Sequence, residues 1–154
     1  MILILHNIRS VYNVGSIFRT ADAAGVSKIY LTGYTPTPLD RFNRERLDLH
    51  KVALGAEKSV PWEYIKNPYA AVSKLKQEGV RIVALEQDAR ATNLFTFKLK
   101  KSQKIALIVG NEVRGVSKAL RDKCDSIVEI PMHGKKESLN VSVATGIALF
   151  QLAH

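Results

Sequence analysis

The sequence predicts an α/β fold with a mainly parallel sheet flanked by helices. Two observations carry this reading. Short apolar runs alternate with stretches of helical periodicity along the whole chain, the pattern of repeated strand–helix units. Several of those runs, ILILH at 2–6, VRIVAL at 80–85 and KIALIV at 104–109, are apolar on both faces, as strands covered on both sides must be. With 154 residues, 46% of them hydrophobic, the chain fits one domain with a real core.

The elements follow in order. Residues 2–6 form the first strand. Asn13 then caps a helix over about 14–24, whose apolar face is Val14, Ile17, Phe18, Ala21 and Ala24. Gly25 is placed to end it. KIYLT at 28–32 is the second strand. Pro36 and Pro38 keep the next stretch extended. The residues from there to Lys51 carry Arg41, Arg44 and Arg46, and read equally as a solvated loop and helix or as an arm that contacts phosphate. SVPWEYI holds a short strand, and Asn67-Pro68 opens a helix that Gly79 ends. Strands at 80–85, 104–109 and 126–130 follow, with a short helix after Ser117 and a last helix from near Asn140. A parallel sheet offers ligands the carboxyl ends of its strands, which points to the ends of those three.

The net charge is +9, from 23 Lys+Arg against 14 Asp+Glu. Such a surface favours polyanions, but charge does not separate RNA, DNA and an anionic membrane. The single cysteine, Cys124, forms no internal disulfide, fits a reducing compartment and reads as a packed side chain. MILILHNI is too short for a secretory signal, and no apolar run approaches the roughly 18–20 residues of a membrane span. The expectation is a cytoplasmic protein with no membrane partner. There is no G-x-G-x-x-G, P-loop, G-x-S-x-G or spaced Cys/His cluster, so dinucleotide, NTP, esterase and zinc chemistry have no support and no metal is expected. His6, His50, His133 and His154 read as structural or surface residues.

Three segments carry chemistry. In HNIRSVYNVGSIFRTADAAGV (6–26), Arg19 falls off the apolar face and points out of the core, and Arg9 lies in the loop before the helix. The pair reads as a phosphate site or as two exposed arginines. In IALIVGNEVRGVSKAL (105–120) a strand ends in Gly110-Asn111-Glu112, with Gly115 following. Glycines there let a ligand approach the backbone. In IPMHGKKESLNVSVATGIALF (130–150) a strand end leads to a basic loop with Lys135 and Lys136. Ser138 and Asn140 then stand near a helix start as capping or site residues.

Together and in order, N-x-G-x-x-x-R-T-A, G-N-E-x-x-G, and I-P-M followed by S-L-N-V-S-x-A resemble the three motifs of the SpoU (TrmH) family of the SPOUT superfamily of RNA methyltransferases. The resemblance covers nearly the whole chain. Val116 stands where the family usually has leucine, a conservative change. The resemblance implies a C-terminal segment threaded into a deep trefoil knot, against the general rule. It implies methyl transfer from S-adenosyl-L-methionine, leaving S-adenosyl-L-homocysteine, to a ribose 2′-hydroxyl of tRNA or rRNA. It places cofactor contacts on Leu85, Gly110, Ile130, Met132, Ser138 and Leu139, and matches Arg19, Asn13, Glu112, Ser138 and Asn140 to catalytic positions, with Glu112 and Asn13 orienting Arg19. The family's matching arginine is proposed as a base. An arginine is effectively always protonated in proteins, so a phosphate clamp stands beside that role. RNA contacts are expected from Arg9, Arg41, Arg44, Lys135 and Lys136. Residues 1–154 are expected to form a single methyltransferase domain without an extra RNA-binding domain, acting as a homodimer that completes the site across its interface. A non-catalytic RNA-binding module and a base-nitrogen methylase are the competing readings.

Overall fold

The computed structural model describes residues 1–153. The elements are β1 (Ile2–His6), α1 (Val11–Ala23), β2 (Lys28–Thr32), α2 (Leu47–Ala53), α3 (Ala56–Ser59), β3 (Trp62–Ile65), α4 (Pro68–Gln77), β4 (Arg81–Leu85), β5 (Thr92–Asn93), β6 (Ile105–Val109), α5 (Lys118–Arg121), β7 (Ser126–Glu129) and α6 (Val141–Ala153). All strand pairs are parallel, in the order β3-β2-β1-β6-β4-β7-β5. The expected α/β class with a parallel sheet is what the chain adopts.

Side chains alternate across the sheet with the period of two that a strand imposes. Leu3, Leu5, Ile29, Leu31, Val83, Leu107 and Val109 join one core layer, with Ile17 and Phe18 of α1, Leu49 of α2 and Leu149 of α6. Ile4, Tyr30, Ile82, Ala84, Ala106 and Ile108 face the other, with Val72 and Leu75 of α4 and Leu120 of α5. Every residue of β6 is buried, which explains a strand with no polar face. Burial of a side chain such as Phe18 or Leu107 stabilises the fold by about 1.5–3 kcal/mol each.

Most element boundaries fall within a residue or two of expectation. Asn67 caps α4 by accepting the Tyr69 N–H at 2.9 Å, with Pro68 at the first helical position. Ser117 caps α5. One boundary is corrected. Helix α1 begins at Val11 and its cap is Ser10, whose hydroxyl accepts the Asn13 N–H at 3.2 Å, so Asn13 lies inside the first turn. Val11 of the first turn also packs against the core. The short α3 and β5 have no apolar pattern to announce them.

Candidate active site

The carboxyl ends of β6, β4 and β7, neighbours in the sheet, open on a hollow of about 310 Å³, within the range of small-ligand sites. Leu85, Gly110, Ile130, Met132, Ser138 and Leu139, the six positions expected at a cofactor, all line it. Glu86, Gln87, Asn111 and Glu112 add a polar edge.

The 110–115 loop is shaped by its own sequence. The Asn111 side-chain oxygen accepts the N–H groups of Val113 at 2.9 Å and Arg114 at 2.8 Å. Its amide donates to the Asn7 carbonyl at 3.0 Å and the Tyr34 hydroxyl at 2.9 Å. Gly115 closes the loop at φ +63°, where a Cβ would fall 1.9 Å from a Glu86 carboxylate oxygen. A Cβ at Gly110 would lie 2.4 Å from the Gly115 backbone. Both positions therefore need glycine. Glu86 completes the turn by accepting the Val116 N–H at 2.8 Å and the Gln87 N–H at 2.9 Å.

Glu112 joins segments far apart in the chain. Its carboxylate accepts the Arg9 N–H at 2.9 and 3.1 Å, the Ser10 N–H at 3.0 Å and the Asn13 side-chain amide at 3.0 Å. The Arg9 and Ser10 N–H groups stand at the N-terminal end of α1, where a negative charge is favoured. Burial pushes the Glu112 carboxyl up, but the donors outweigh it and hold the group below its ordinary value. The Asn13 carbonyl oxygen in turn accepts from the Asn140 amide at 3.2 Å, across 127 residues. Asn140 caps the start of α6, accepting the Ser142 N–H at 2.8 Å. Of the two capping candidates, Asn140 is the cap and Ser138 lines the hollow.

Among the described residues no hydrogen bond joins Glu112 or Asn13 to Arg19; the bonds these two make hold the loop before α1 and its first turn. The Arg19 guanidinium is exposed and makes no hydrogen bond or ion pair among the described residues. It does not line the hollow, and stands about 9 Å farther along α1 than Asn13. Arg9 is exposed at the Glu112 hub. Lys135 and Lys136 are exposed on the loop that brings Ser138 to the hollow. Arg41 and Arg44 lie elsewhere, on the loop after β2. Burial pushes the Cys124 thiol up to about 11 and it donates to the Leu120 carbonyl at 3.3 Å, a packed group. Burial also lowers the pKa of His6 beside Thr32. His50 bonds Glu57, His133 is exposed, and His154 lies outside the described residues. Among the described residues no three His, Cys, Asp or Glu side chains gather as a metal site.

Residues 1–150 match the pattern of the SpoU rRNA Methylase family. The chain belongs to that family. A curated SpoU-family relative, the 23S rRNA (guanosine-2'-O-)-methyltransferase RlmB of Escherichia coli (strain K12), is 37% identical over 97% of this chain. The match spans 58% of that relative's own length. An AdoMet-bound rRNA methyltransferase from Sinorhizobium meliloti superposes with a TM-score of 0.87 at 32% identity, covering 97% of this chain and 54% of that one. The A. aeolicus TrmH/SpoU tRNA modifying enzyme gives a TM-score of 0.83 at 31% identity, covering 99% and 73%.

The sequence reading does not reach Glu86, Gln87 or Tyr34, and it names Asn111 only as part of the strand end and its motif. Glu86 and Gln87 follow the carboxyl end of β4 directly, where a ligand was expected, so their position was the usable signal. Tyr34 had none.

Proposed function

We propose that this chain carries the catalytic domain of an RNA 2′-O-methyltransferase. Its cofactor is S-adenosyl-L-methionine and its acceptor a ribose 2′-hydroxyl of ribosomal or transfer RNA. The observation that carries the reading is the convergence of all three motif segments on one hollow, tied by Glu112, Asn13 and Asn140.

The donor set fits the cofactor. Leu85, Ile130, Met132 and Leu139 offer an apolar slot for a flat ring, and Ser138 and Gln87 offer polar side-chain atoms for a ribose and an amino-acid tail. Gly110 and Gly115, packed tightly into the turn at the end of β6, bring its backbone to the wall of the hollow. The bound cofactor supplies a methyl group on a sulfonium. The chain's own work is placement, which supplies much of the catalysis in an in-line displacement. Ser138 and the strand ends hold the cofactor. Glu112 and Asn13 fix the loop carrying Arg9. Arg19 acts as the cation that grips an RNA phosphate and stabilises the developing oxyanion. Lys135 and Lys136 add phosphate contacts.

The reading includes a homodimer. Arg19 lies off its own chain's hollow, and α6 is apolar at most positions yet buries only Thr145, Ala148 and Leu149. A second copy seated on α1 and α6 covers side chains such as Val143, 51% exposed, and brings Arg19 to its neighbour's hollow. The reading also takes residues 1–154 as one methyltransferase domain whose C-terminal segment is threaded into a trefoil knot, in a cytoplasmic setting. Among the described residues no helix is long and apolar enough to cross a membrane.

The test is transfer of labelled methyl from S-adenosyl-L-methionine to total RNA, followed by nucleoside digestion and mass detection. A 2′-O-methylnucleoside is expected. A base-methylated product, or cofactor binding without transfer, overturns the reading in favour of its competitors. The Escherichia coli relative, a 23S rRNA (guanosine-2'-O-)-methyltransferase, favours a guanosine of 23S rRNA, and the A. aeolicus tRNA modifying enzyme favours tRNA. Fractionating the RNA separates them.

A further inference from the structure

A second hollow, of about 720 Å³, opens beside the loop that follows β2. Its walls carry aromatic side chains left in water: Tyr34 is 59% exposed, Phe42 61% and Tyr64 45%. Arg41, Arg44 and Arg46 line the same hollow.

The loop tip is built rather than slack. The Asp40 carboxylate accepts the Phe42 N–H at 2.8 Å, the Arg44 N–H at 3.0 Å and the Arg44 Nε–H at 2.8 Å. Leu39 and Glu45 pair across its base. Phe42 is thereby held outward at the tip. The guanidinium carbons of Arg41 and Arg44 lie 4.8 and 4.9 Å from its ring centroid.

A ligand that covers this surface must offer a flat π-face to Phe42 and a negative charge to the arginines. An apolar protein partner would bury Arg41 and Arg46 without a counter-charge, at a heavy desolvation cost. A duplex hides its base faces in the stack. An unpaired nucleotide offers both chemistries at once, stacking on aromatic rings or on the outer plane of a guanidinium. The place also suits it. The Tyr34 hydroxyl accepts the Asn111 amide at 2.9 Å, and Asn111 lines the first hollow, so one hydrogen-bonded wall stands between the two.

We propose that the second hollow is an RNA subsite that takes an unpaired nucleotide near the one being methylated. Its base stacks on Phe42 and Tyr34, and its phosphate meets Arg41 and Arg46, while Arg44 stays tied to Asp40. The inference rests on the RNA reading above and specifies a single-stranded substrate.

The experiment measures binding of three labelled probes by fluorescence anisotropy. They are a single-stranded adenosine dodecamer, the same sugar-phosphate chain without bases, and a fully paired RNA duplex. Wild type should prefer the base-bearing strand over the abasic one by about tenfold, the usual worth of one stacked base. Phe42→Ala, at an exposed tip, should bring that ratio close to one and leave titration with S-adenosyl-L-methionine unchanged. Arg41→Ala with Arg46→Ala should weaken both single strands alike. A base preference that survives Phe42→Ala, no preference in wild type, or duplex binding as tight as the single strand each overturns the subsite. If wild type neither binds cofactor nor transfers methyl but keeps a Phe42-dependent preference, the activity reading falls and the subsite stands.

Discussion

Two arginine-bearing regions of this molecule treat their guanidinium groups in opposite ways. In the loop after β4, Asp88 accepts Arg90 Nη2 at 2.9 Å and Arg121 Nε at 2.8 Å, and Asp122 takes Arg90 Nη1 at 2.8 Å. Arg90 first, then Arg121, hold the Asp88 carboxyl well below the usual carboxylate range. At the start of α1 the carboxylate of Glu112 is spent on backbone N–H groups and on Asn13. The guanidiniums of Arg9 and Arg19 are left without a partner among the described residues. An arginine closed on carboxylates is a tie within the fold. One with no acid to close on is free to meet an incoming anion, whether the carboxylate beside it is saturated, as at Arg9, or no carboxylate pairs with it, as at Arg19. The net charge of +9 therefore matters less than which cations remain unspent.

The largest effect that can break this contrast is a crossed pair of substitutions. Arg19→Ala should lower methyl transfer by about 10²–10³-fold, the cost of losing one oxyanion or phosphate contact. Its stability should stay within about 0.5 kcal/mol, as for an exposed, unpartnered side chain. Arg121→Ala should do the reverse, lowering Tm by a few degrees while the folded fraction keeps nearly full methyl transfer. Calorimetric unfolding and the labelled-methyl assay, run on both variants, decide it. An Arg19→Ala protein that unfolds early but turns over normally would erase the distinction.

Glu112→Gln tests the acid in the same way. The amide replaces one acceptor oxygen with a donor that faces N–H groups, so a loss of about 1–3 kcal/mol is expected, with methyl transfer falling because the Arg9 loop is released. The pH dependence has a definite sign. The folded-state pKa of Glu112 is depressed, so its stabilising contribution is complete above the ordinary glutamate range. It is lost as pH falls through the folded value. The gap in urea stability between wild type and Glu112→Gln should be flat near neutrality and narrow in acid. A gap that widened on acidification would mean that the protonated carboxyl is the favoured form.

The fold was legible because burial on two faces leaves a plain mark: β4 and β6 are read straight from VRIVAL and KIALIV. The hollow was legible too, since parallel topology points to the strand ends and the motif resemblance placed six residues that all line it. What escaped depends on pairing at a distance. Glu112 bonds residues 99 to 103 positions away, and no local period encodes that. Its reach explains why Asn13 was taken for a cap: the capping work is divided between Ser10 and a carboxylate from another segment. Tyr34 had no signal because its role comes from Asn111, across the sheet edge. Arg19 was correctly turned outward by helical periodicity. Its distance from the hollow follows from the length of α1, which only the folded chain displays.

The smallest expected effect sharpens the comparison most finely. The bond from Asn140 to Asn13 is 3.2 Å long and exposed, so it should contribute modestly, near the low end of the 0.5–1.5 kcal/mol usual for one hydrogen bond. Asn13→Ala and Asn140→Ala each also disturb a second contact, to Glu112 and to the α6 cap respectively, so neither alone isolates it. The double-mutant cycle does. A coupling of about 0.5 kcal/mol in urea unfolding, with a non-additive loss of methyl transfer, would show that α6 is tied to α1 through this pair. Strict additivity in both would mean that the two helices take their places through packing around Ala148 and Leu149 alone, leaving the polar chain as a consequence of the fold rather than one of its supports.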